Sequence, residues 1–474
     1  MIERIPKSAV AAAGVLGAAV LAYLAYSSPG YFTSQTYISG IVLLELLLAA
    51  VYFYRRVFFP AVLISFLFAG LNLPVGPGWT TARWLFLGVG AGVGVIMVAL
   101  QGTRKYGLFH AFALLAVTTA LVSAAVSPYP MTALMKCASL LLLFVYTASG
   151  VRVTVTGREN QFFTGLLLGA EIFVAVIMGF YLIGIAAMGN PNALGAVMGV
   201  FAAPILLWGV MLNERRWLHW RHTLAYSACL YLVLLSRSRA GIAAVAFSFV
   251  LYTVCLRRYR LLMQGLGIGI ILAATLAIFV PEYFSTRVQS FTADVVHKGN
   301  LEDNIFASRV SPWQATLDTI HEHFWFGTGF GTTDTGADAT EHLGRLASSS
   351  DISTEHGSSY LALASWVGIL GLAPFFLLLT MLLKKTFETF VWMLRTRNPA
   401  HPSVPLAVLV LAGLLHAGFE DWLFAPGNYL CVYFWSMAFI LVDFAPSTVL
   451  VRPSVPQQTG AVQPTLNWSR NPSF

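Results

Sequence analysis

Long apolar runs separated by short polar connections occupy most of the chain. A helix that crosses a bilayer needs about 20 mostly apolar residues, and about fourteen runs approach that length. They lie near residues 8–26, 38–54, 57–73, 84–100, 108–126, 131–149, 162–185, 192–212, 222–236, 240–256, 261–280, 359–383, 404–419 and 427–444. The pattern predicts an all-α integral membrane protein with about 12–14 transmembrane helices.

One long polar stretch, residues 281–357, interrupts this pattern. Inside it, apolar residues recur at helical spacing: Val310, Trp313, Leu317, Ile320 and Phe324. We interpret this segment as an amphipathic helix on the outer membrane surface or over a cavity. The predicted organisation is N-terminal membrane helices over 1–160, a second membrane region over 161–445 that includes the loop, and a disordered cytoplasmic tail over 446–474.

The composition indicates that lipid is the main solvent of the chain. Of 474 residues, 57% are hydrophobic and 10% are charged, whereas soluble domains carry about 25% charged residues. The formal net charge of +8 does not indicate nucleic acid, because the basic residues flank apolar runs and form no basic-aromatic surface motif. Most of them fall on one set of alternate connections, which predicts that both termini are cytoplasmic and the long loop is external.

Cysteine and histidine spacing indicates neither a disulfide nor a metal site. The cysteines lie in apolar runs and form no C-x-x-C motif: Cys137, Cys229, Cys255 and Cys431. The loop histidines lack the spacing of metal ligands: His297, His321, His323 and His342. We therefore expect no metal site.

Two arginines stand at the outer end of predicted helices, within Ser236–Gly241. An arginine at membrane depth costs about 2.5–3.5 kcal/mol, so Arg237 and Arg239 need anionic partners. One interpretation is snorkelling to lipid headgroups. The other is a phosphate-bearing substrate, because a guanidinium fork matches phosphate oxygens. Arg309 opens the amphipathic helix on the same side.

Residues Glu355–Tyr360 precede another apolar run. Ser358 or Ser359 can cap the helix that follows, and its N-terminus suits an anion. His356 stands beside it, and its ordinary pKa of about 6.5 suits proton transfer. A histidine at a helix start is more often structural, so both interpretations stay open.

Several weaker positions also have both a structural and a functional interpretation. Asn190–Asn192 give an N-cap and turn signal, and Gly327–Gly331 indicate a tight turn. Lys136 and Glu171 lie within predicted helices, so each needs a partner or a water-filled space. Three residues lie at the outer end of the predicted helix 404–419, and they either support a cavity at the outer face or mark the membrane interface: His416, Glu420 and Asp421.

Taken in order, these motifs resemble the O-antigen ligase and polymerase superfamily of bacterial envelope glycosyltransferases, over roughly residues 160 to 440. The resemblance is carried by Asn190-Pro191-Asn192, Ser238-Arg239-Ala240-Gly241, Arg309 to Trp313, Gly327-Thr328-Gly329, His356 to Tyr360 and Val367-Gly368-Ile369-Leu370-Gly371. Each motif is degenerate alone, and their order and spacing are more specific. Members of the family often have asparagine directly after the histidine, where this chain has Gly357.

The resemblance implies a glycosyltransferase of the bacterial inner membrane, with its active site in the periplasm and no metal or cofactor. The implied donor is a glycan linked to undecaprenyl diphosphate, a carrier whose lipid tail lies in the membrane. His356, Arg239 and Arg309 are implied to be catalytic. Substrate-binding roles are implied for the residues around them: Arg237, Ser238, Asn192, Trp313 and Tyr360.

The acceptor is not decided by these motifs. A ligase transfers the glycan to lipid A–core, and a polymerase extends a lipid-linked repeat; we favour the ligase. Transfer to a protein hydroxyl is a third possibility. A transporter or flippase is the alternative from another class, and it predicts internal repeats and charges along a path through the bilayer.

Overall fold

The computed structural model describes residues 58–71, 78–101, 106–188, 190–212, 216–260, 307–332 and 356–446, with isolated positions between 263 and 278. Within these ranges the chain is helical and contains no strand. The predicted spans 8–26 and 38–54, most of the long loop and the tail beyond 446 lie outside the described residues.

The described ranges contain twelve helices. The first six are α1 (Phe58–Gly70), α2 (Gly78–Gln101), α3 (Leu108–Val126), α4 (Pro130–Val155), α5 (Glu159–Leu182) and α6 (Pro191–Leu212). The others are α7 (Arg216–Ser236), α8 (Arg239–Cys255), α9 (Ala307–Glu322), α10 (Ser359–Thr396), α11 (Ser403–Ala417) and α12 (Tyr429–Phe444).

Six of these helices are long and apolar enough to cross a membrane, namely α2 to α6 and α10. Four more are shorter and apolar, namely α1, α8, α11 and α12. An all-α integral membrane protein is therefore confirmed. The predicted total of 12–14 spans includes segments outside the described ranges and stays a prediction.

The connections fall alternately at the two ends of the bundle. One end, called the site end below, carries the described parts of the connections 127–129, 183–188 with 190, 237–238, 356–358 and 418–428. The opposite end carries 156–158, 256–258 and 397–402. Positions that the sequence assigned to the outer face, such as Arg237 and His356, thus lie at a single end of the structure.

Close glycine packing brings α6 against α8. In α6, 89% of the most apolar stretch is buried. A Cβ on Gly199 would lie 2.7 Å from the carbonyl oxygen of Gly241, and a Cβ on Gly241 would lie 2.6 Å from that of Gly195. Only residues this small let two helix backbones approach so closely. The first turns of α6 and α8 therefore stand side by side at the site end.

Helix α10 is interrupted at Gly368, whose φ of 63° and ψ of −179° are not helical. The segment after α9, residues 323–332, crosses α10 at this break. The crossing therefore provides hydrogen-bond partners for backbone groups that lose their helical partners at the break. Four backbone hydrogen bonds join the two segments: Thr328 N to Ser365 O at 2.9 Å, Gly329 N to Trp366 O at 3.0 Å, Ile369 N to Phe324 O at 2.9 Å and Leu370 N to Trp325 O at 3.3 Å.

Two glycines make this crossing possible. Gly327 has a φ of 71° and Gly368 a φ of 63°, a conformation that favours glycine. A Cβ on Gly368 would lie 2.6 Å from the backbone nitrogen of Gly327, so no side chain fits between the two segments. The turn predicted at Gly327–Gly331 is present, and it has the additional role of bridging the broken helix.

Candidate functional site

His356 lies just before α10 and is 7% exposed. Its Nδ1 is 3.1 Å from Oγ1 of Thr316 in α9. The Thr316 hydroxyl donates its only hydrogen to the carbonyl oxygen of Pro312, at 2.7 Å, so it accepts a hydrogen bond from Nδ1–H. In the neutral ring the hydrogen is therefore on Nδ1 and the lone pair is on Nε2. Nε2 makes no hydrogen bond within the described part of the chain.

The surroundings of His356 keep it neutral. Burial, and secondarily the positive charge of Lys136, lowers the pKa of His356 to about 4. At pH 7 the ring is therefore uncharged, and Nε2 is able to accept a proton. Lys136 donates from Nζ to the carbonyl oxygen of Gly331, so this lysine also anchors the segment that crosses α10. The ring of Trp366 packs edge-on against the imidazole, with centroids 5.7 Å apart.

The residue after the histidine has a left-handed backbone. Gly357 has a φ of 65°, and its carbonyl oxygen accepts a hydrogen bond from Nε1 of Trp313 at 3.2 Å. Glycine and asparagine are the residues that most readily adopt this conformation. Glycine therefore suits the backbone conformation beside His356.

Arg309, in α9, is buried and forms an ion pair with Glu420 of the 418–428 connection. The backbone carbonyl of Glu420 also accepts hydrogen bonds from Ser359, from N at 3.1 Å and from Oγ at 2.6 Å. Glu420 thus ties α9 to the start of α10. This corrects two expectations: the first N–H of α10 is not open to an anion, and neither Ser358 nor Ser359 caps the helix with its side chain.

Arg239 is the first residue of α8. Ser238 caps this helix, because its Oγ accepts a hydrogen bond from Gly241 N at 3.3 Å. Arg237 is exposed and has a φ of 51°, which turns the chain sharply between α7 and α8. Arg239 lies close enough to Arg309 for the two positive charges to repel each other.

The predicted substrate-binding residues divide into two groups. Arg237, Ser238 and Asn192 share the junction of α6 and α8, where Asn190 Oδ1 accepts from Asn192 N at 2.8 Å. Trp313 and Tyr360 have structural hydrogen bonds instead, to Gly357 as described and from the Tyr360 hydroxyl to Leu414 O at 2.8 Å. Contact of any of these side chains with a substrate stays a prediction.

Thr316 was not singled out from the sequence. The predicted helix is confirmed, but part of its apolar set faces outward, with Val310 41% exposed and Leu317 43% exposed. The side that faces the protein carries Arg309, Trp313 and Thr316. Their spacing of four and three residues is itself helical, so a search for polar periodicity would have found Thr316.

Two other features lie apart from this site. Glu171 in α5 is paired with Arg221, at 3.2 Å, and with His222 of α7, which supplies the partner that an intramembrane carboxylate needs. A mostly apolar cavity of about 840 Å³ opens between α1, α5, α6 and α12, and neither the arginines of the site nor His356 line it. In the described ranges, no three His, Cys, Asp or Glu side chains group as metal ligands.

Comparison with known families bears directly on this end of the bundle. Residues 224–376 match the model of the family described as O-Antigen ligase. The matched segment contains Arg239, Arg309 and His356, together with the crossing of α10. No curated protein matches the chain. This match supports the resemblance of the chain to the O-antigen ligase superfamily over residues 224–376.

Proposed function

We propose that this chain transfers a glycan from undecaprenyl diphosphate to an acceptor hydroxyl at the periplasmic face of the bacterial inner membrane. The observation that carries the proposal is the convergence of Arg239, Arg309 and His356 at one end of the bundle, inside the matched segment 224–376. Two cations and a neutral imidazole at a membrane boundary suit an anionic lipid carrier and an attacking hydroxyl.

The reaction exchanges one bond at the anomeric carbon of the glycan. The acceptor oxygen forms a bond to that carbon. The bond from the carbon to the diphosphate oxygen breaks, and its electron pair goes to the diphosphate. The hydroxyl proton passes to Nε2 of His356 and later to water, and the carrier leaves as undecaprenyl diphosphate.

His356 is the general base in this scheme. Its Nε2 lone pair faces away from the hydrogen bond to Thr316, and its lowered pKa keeps that lone pair available at neutral pH. Thr316 acts through His356 by holding the tautomer and is a positioning residue. The approach of the anionic donor raises the pKa of the imidazole, which strengthens the base when substrate is bound.

Arg239 and Arg309 stabilise the leaving group. Negative charge grows on the diphosphate in the transition state, and guanidinium groups fixed beforehand stabilise that charge most effectively. The positive charge of Arg309 disfavours that of Arg239, so a diphosphate between the two offsets their repulsion. Glu420 fixes the guanidinium of Arg309, and the N-terminal end of α8 adds a partial positive charge.

We favour lipid A–core as the acceptor, and extension of a lipid-linked repeat uses the same chemistry. The pair of arginines takes the place that a divalent cation has in other diphosphate chemistry, so the proposed reaction proceeds without metal. In this arrangement both termini are cytoplasmic, and Arg237, Ser238 and Asn192 contact the donor beside Arg239.

A transfer assay tests the proposal. Purified protein receives lipid-linked glycan and EDTA, with or without lipid A–core. We expect Arg239→Ala and His356→Ala each to lower the rate of transfer by about 100-fold or more. Arg395→Ala and His219→Ala, at the opposite end of the bundle, are matched controls and should keep full activity.

The products separate the alternatives. Glycan joined to lipid A–core supports a ligase, and a ladder of longer lipid-linked chains supports a polymerase. Movement of the lipid-linked glycan across a liposome membrane, with no glycosidic bond formed, would favour a flippase and refute the proposal. Full transfer by the Arg239 and His356 variants would refute the assigned site.

A further inference from the structure

A second histidine, His416, stands at the site end of α11 and is completely buried. Its Nδ1 accepts a hydrogen bond from the indole Nε1–H of Trp422 at 3.0 Å. Because an indole N–H only donates, Nδ1 carries no hydrogen, and the hydrogen of the neutral ring is on Nε2. Nε2 is buried and has no hydrogen-bond partner among the described residues.

The position of His416 links it to the site. Helix α11 packs against both α8 and α10, the helices that begin with Arg239 and Ser359. The charge of Arg309 reaches the His416 ring. Glu420, the partner of Arg309, follows His416 by four residues, in the connection after α11. The unpaired Nε2–H therefore belongs to the surroundings of Arg309.

A buried N–H without an acceptor is unfavourable and calls for an explanation in a native fold. Near the cation of Arg309, the acceptor best suited to it is an anionic oxygen. The two histidines are complementary in this respect. Nε2 of His356 has a lone pair and accepts a proton, whereas Nε2 of His416 has a hydrogen and donates a hydrogen bond.

We propose that Nε2–H of His416 donates a hydrogen bond to a phosphate oxygen of the lipid diphosphate held by Arg309. The proposal rests on the proposed function and adds a residue to its donor site. Because Nε2 is buried, the contact requires a local rearrangement at the end of α11 that admits the diphosphate. His416 is then a determinant of donor affinity and takes no part in proton transfer.

Two substitutions separate this role from a purely structural one. In His416→Asn, the side-chain oxygen replaces Nδ1 as the acceptor for Trp422, but the donor at Nε2 is lost. In His416→Gln, the amide nitrogen replaces Nε2–H as a donor, but the acceptor for Trp422 is lost. Binding of undecaprenyl diphosphate to the detergent-solubilised full chain is the measurement, with thermal unfolding as the check on folding.

We expect His416→Asn to raise the Kd for undecaprenyl diphosphate about tenfold, and His416→Gln to stay within about threefold of the wild type. If His416→Gln is the weak binder and His416→Asn is normal, His416 only holds Trp422 and the inference is overturned. Unchanged affinity in both variants overturns it as well.

A further variant keeps the inference testable if the asparagine variant does not fold. Trp422→Phe retains an aromatic ring and removes the indole N–H, which frees His416 to place its hydrogen on Nδ1. We expect about threefold weaker binding, and unchanged binding would contradict the assigned tautomer. If the wild type itself does not bind undecaprenyl diphosphate, the proposed function fails; if it binds but ignores these substitutions, only the role of His416 fails.

Discussion

At the scale of single residues, the hydrogen-bond partner decides what each histidine can do. Thr316 accepts from Nδ1–H of His356, and Trp422 donates to Nδ1 of His416. The same side chain is thereby set as a proton acceptor in one place and as a hydrogen-bond donor in the other. The indole N–H of Trp422 can only donate, and the Thr316 hydroxyl has already donated its one hydrogen to Pro312 O, so each direction is fixed.

The partner of His356 is tested by substitution of Thr316. Thr316→Val keeps the shape of the side chain and removes the oxygen that accepts Nδ1–H, so the tautomer is no longer fixed. We expect kcat to fall about tenfold or more, whereas Thr316→Ser should stay near the wild type because it keeps the hydroxyl. Equal rates for the valine and serine variants would show that the hydroxyl has no part in orienting the base.

The pH dependence of transfer tests the electrostatics of His356. Its pKa of about 4 means that the base is already deprotonated above pH 5, so kcat/KM should be level between pH 7 and pH 5.5 and fall only towards pH 4. Lys136→Met removes a positive charge that disfavours protonation. We therefore expect the pKa of His356 to rise and the acid limb of kcat/KM to move to higher pH.

Lys136→Arg is the matched control, because it retains the charge and should leave the acid limb in place. An acid limb near pH 6.5 in the wild type, or no movement in the methionine variant, would contradict the described environment of His356.

At the scale of elements, long apolar runs predicted most of the membrane helices. Where each helix ends depends on contacts that such runs do not reveal. The run 108–126 coincides with α3, Leu108–Val126. The run 359–383 stopped at two lysines, whereas α10 continues to Thr396. One reason is that Lys385 pairs with Glu388 at 2.8 Å within the helix, so charged residues extend α10 beyond its apolar part.

The crossing of α10 by the 323–332 segment was beyond the reach of local sequence patterns, since it joins two separate glycine motifs through backbone contacts. Gly368→Ala tests it. Alanine is strained at this φ and ψ, and its Cβ would meet the backbone of Trp325 at 2.5 Å. We expect a loss of roughly 2–3 kcal/mol of stability, seen as a lower Tm in detergent.

Gly165→Ala is the control for this experiment, because a Cβ there meets nothing within 4 Å and the residue lies inside α5. Its Tm should stay the same or rise slightly. Comparable losses in both variants would mean that the crossing has no special requirement for glycine.

At the scale of the whole molecule, the sequence predicted which residue types would meet but not how they meet. Arginines and a histidine at the outer ends of helices pointed to one face, and the structure gathers Arg239, Arg309 and His356 at the site end. Arg309 and Glu420 are 111 residues apart in the sequence, and no periodic pattern in the sequence indicates that they pair. Long-range contacts of this kind need the fold, because helix packing determines which connections become neighbours.

The side of the membrane that carries the site is tested by cysteine labelling in intact cells. The native cysteines are all buried, so an introduced cysteine reports its own position. Ser311→Cys, exposed on α9, should react with a membrane-impermeant maleimide. Asn160→Cys, exposed at the opposite end, should react only after permeabilisation, and the reverse pattern would place the site in the cytoplasm and rule out an exported glycan as substrate.

The central claim is that a glycosidic bond forms as the diphosphate carrier leaves from this site. Its most direct test is to quantify undecaprenyl diphosphate and glycosylated acceptor in one reaction of the purified chain. The account predicts one carrier released for each glycosidic bond formed, with both products lost in His356→Ala. Carrier released without a bond to the acceptor, or equal yields from the His356 variant, would contradict it.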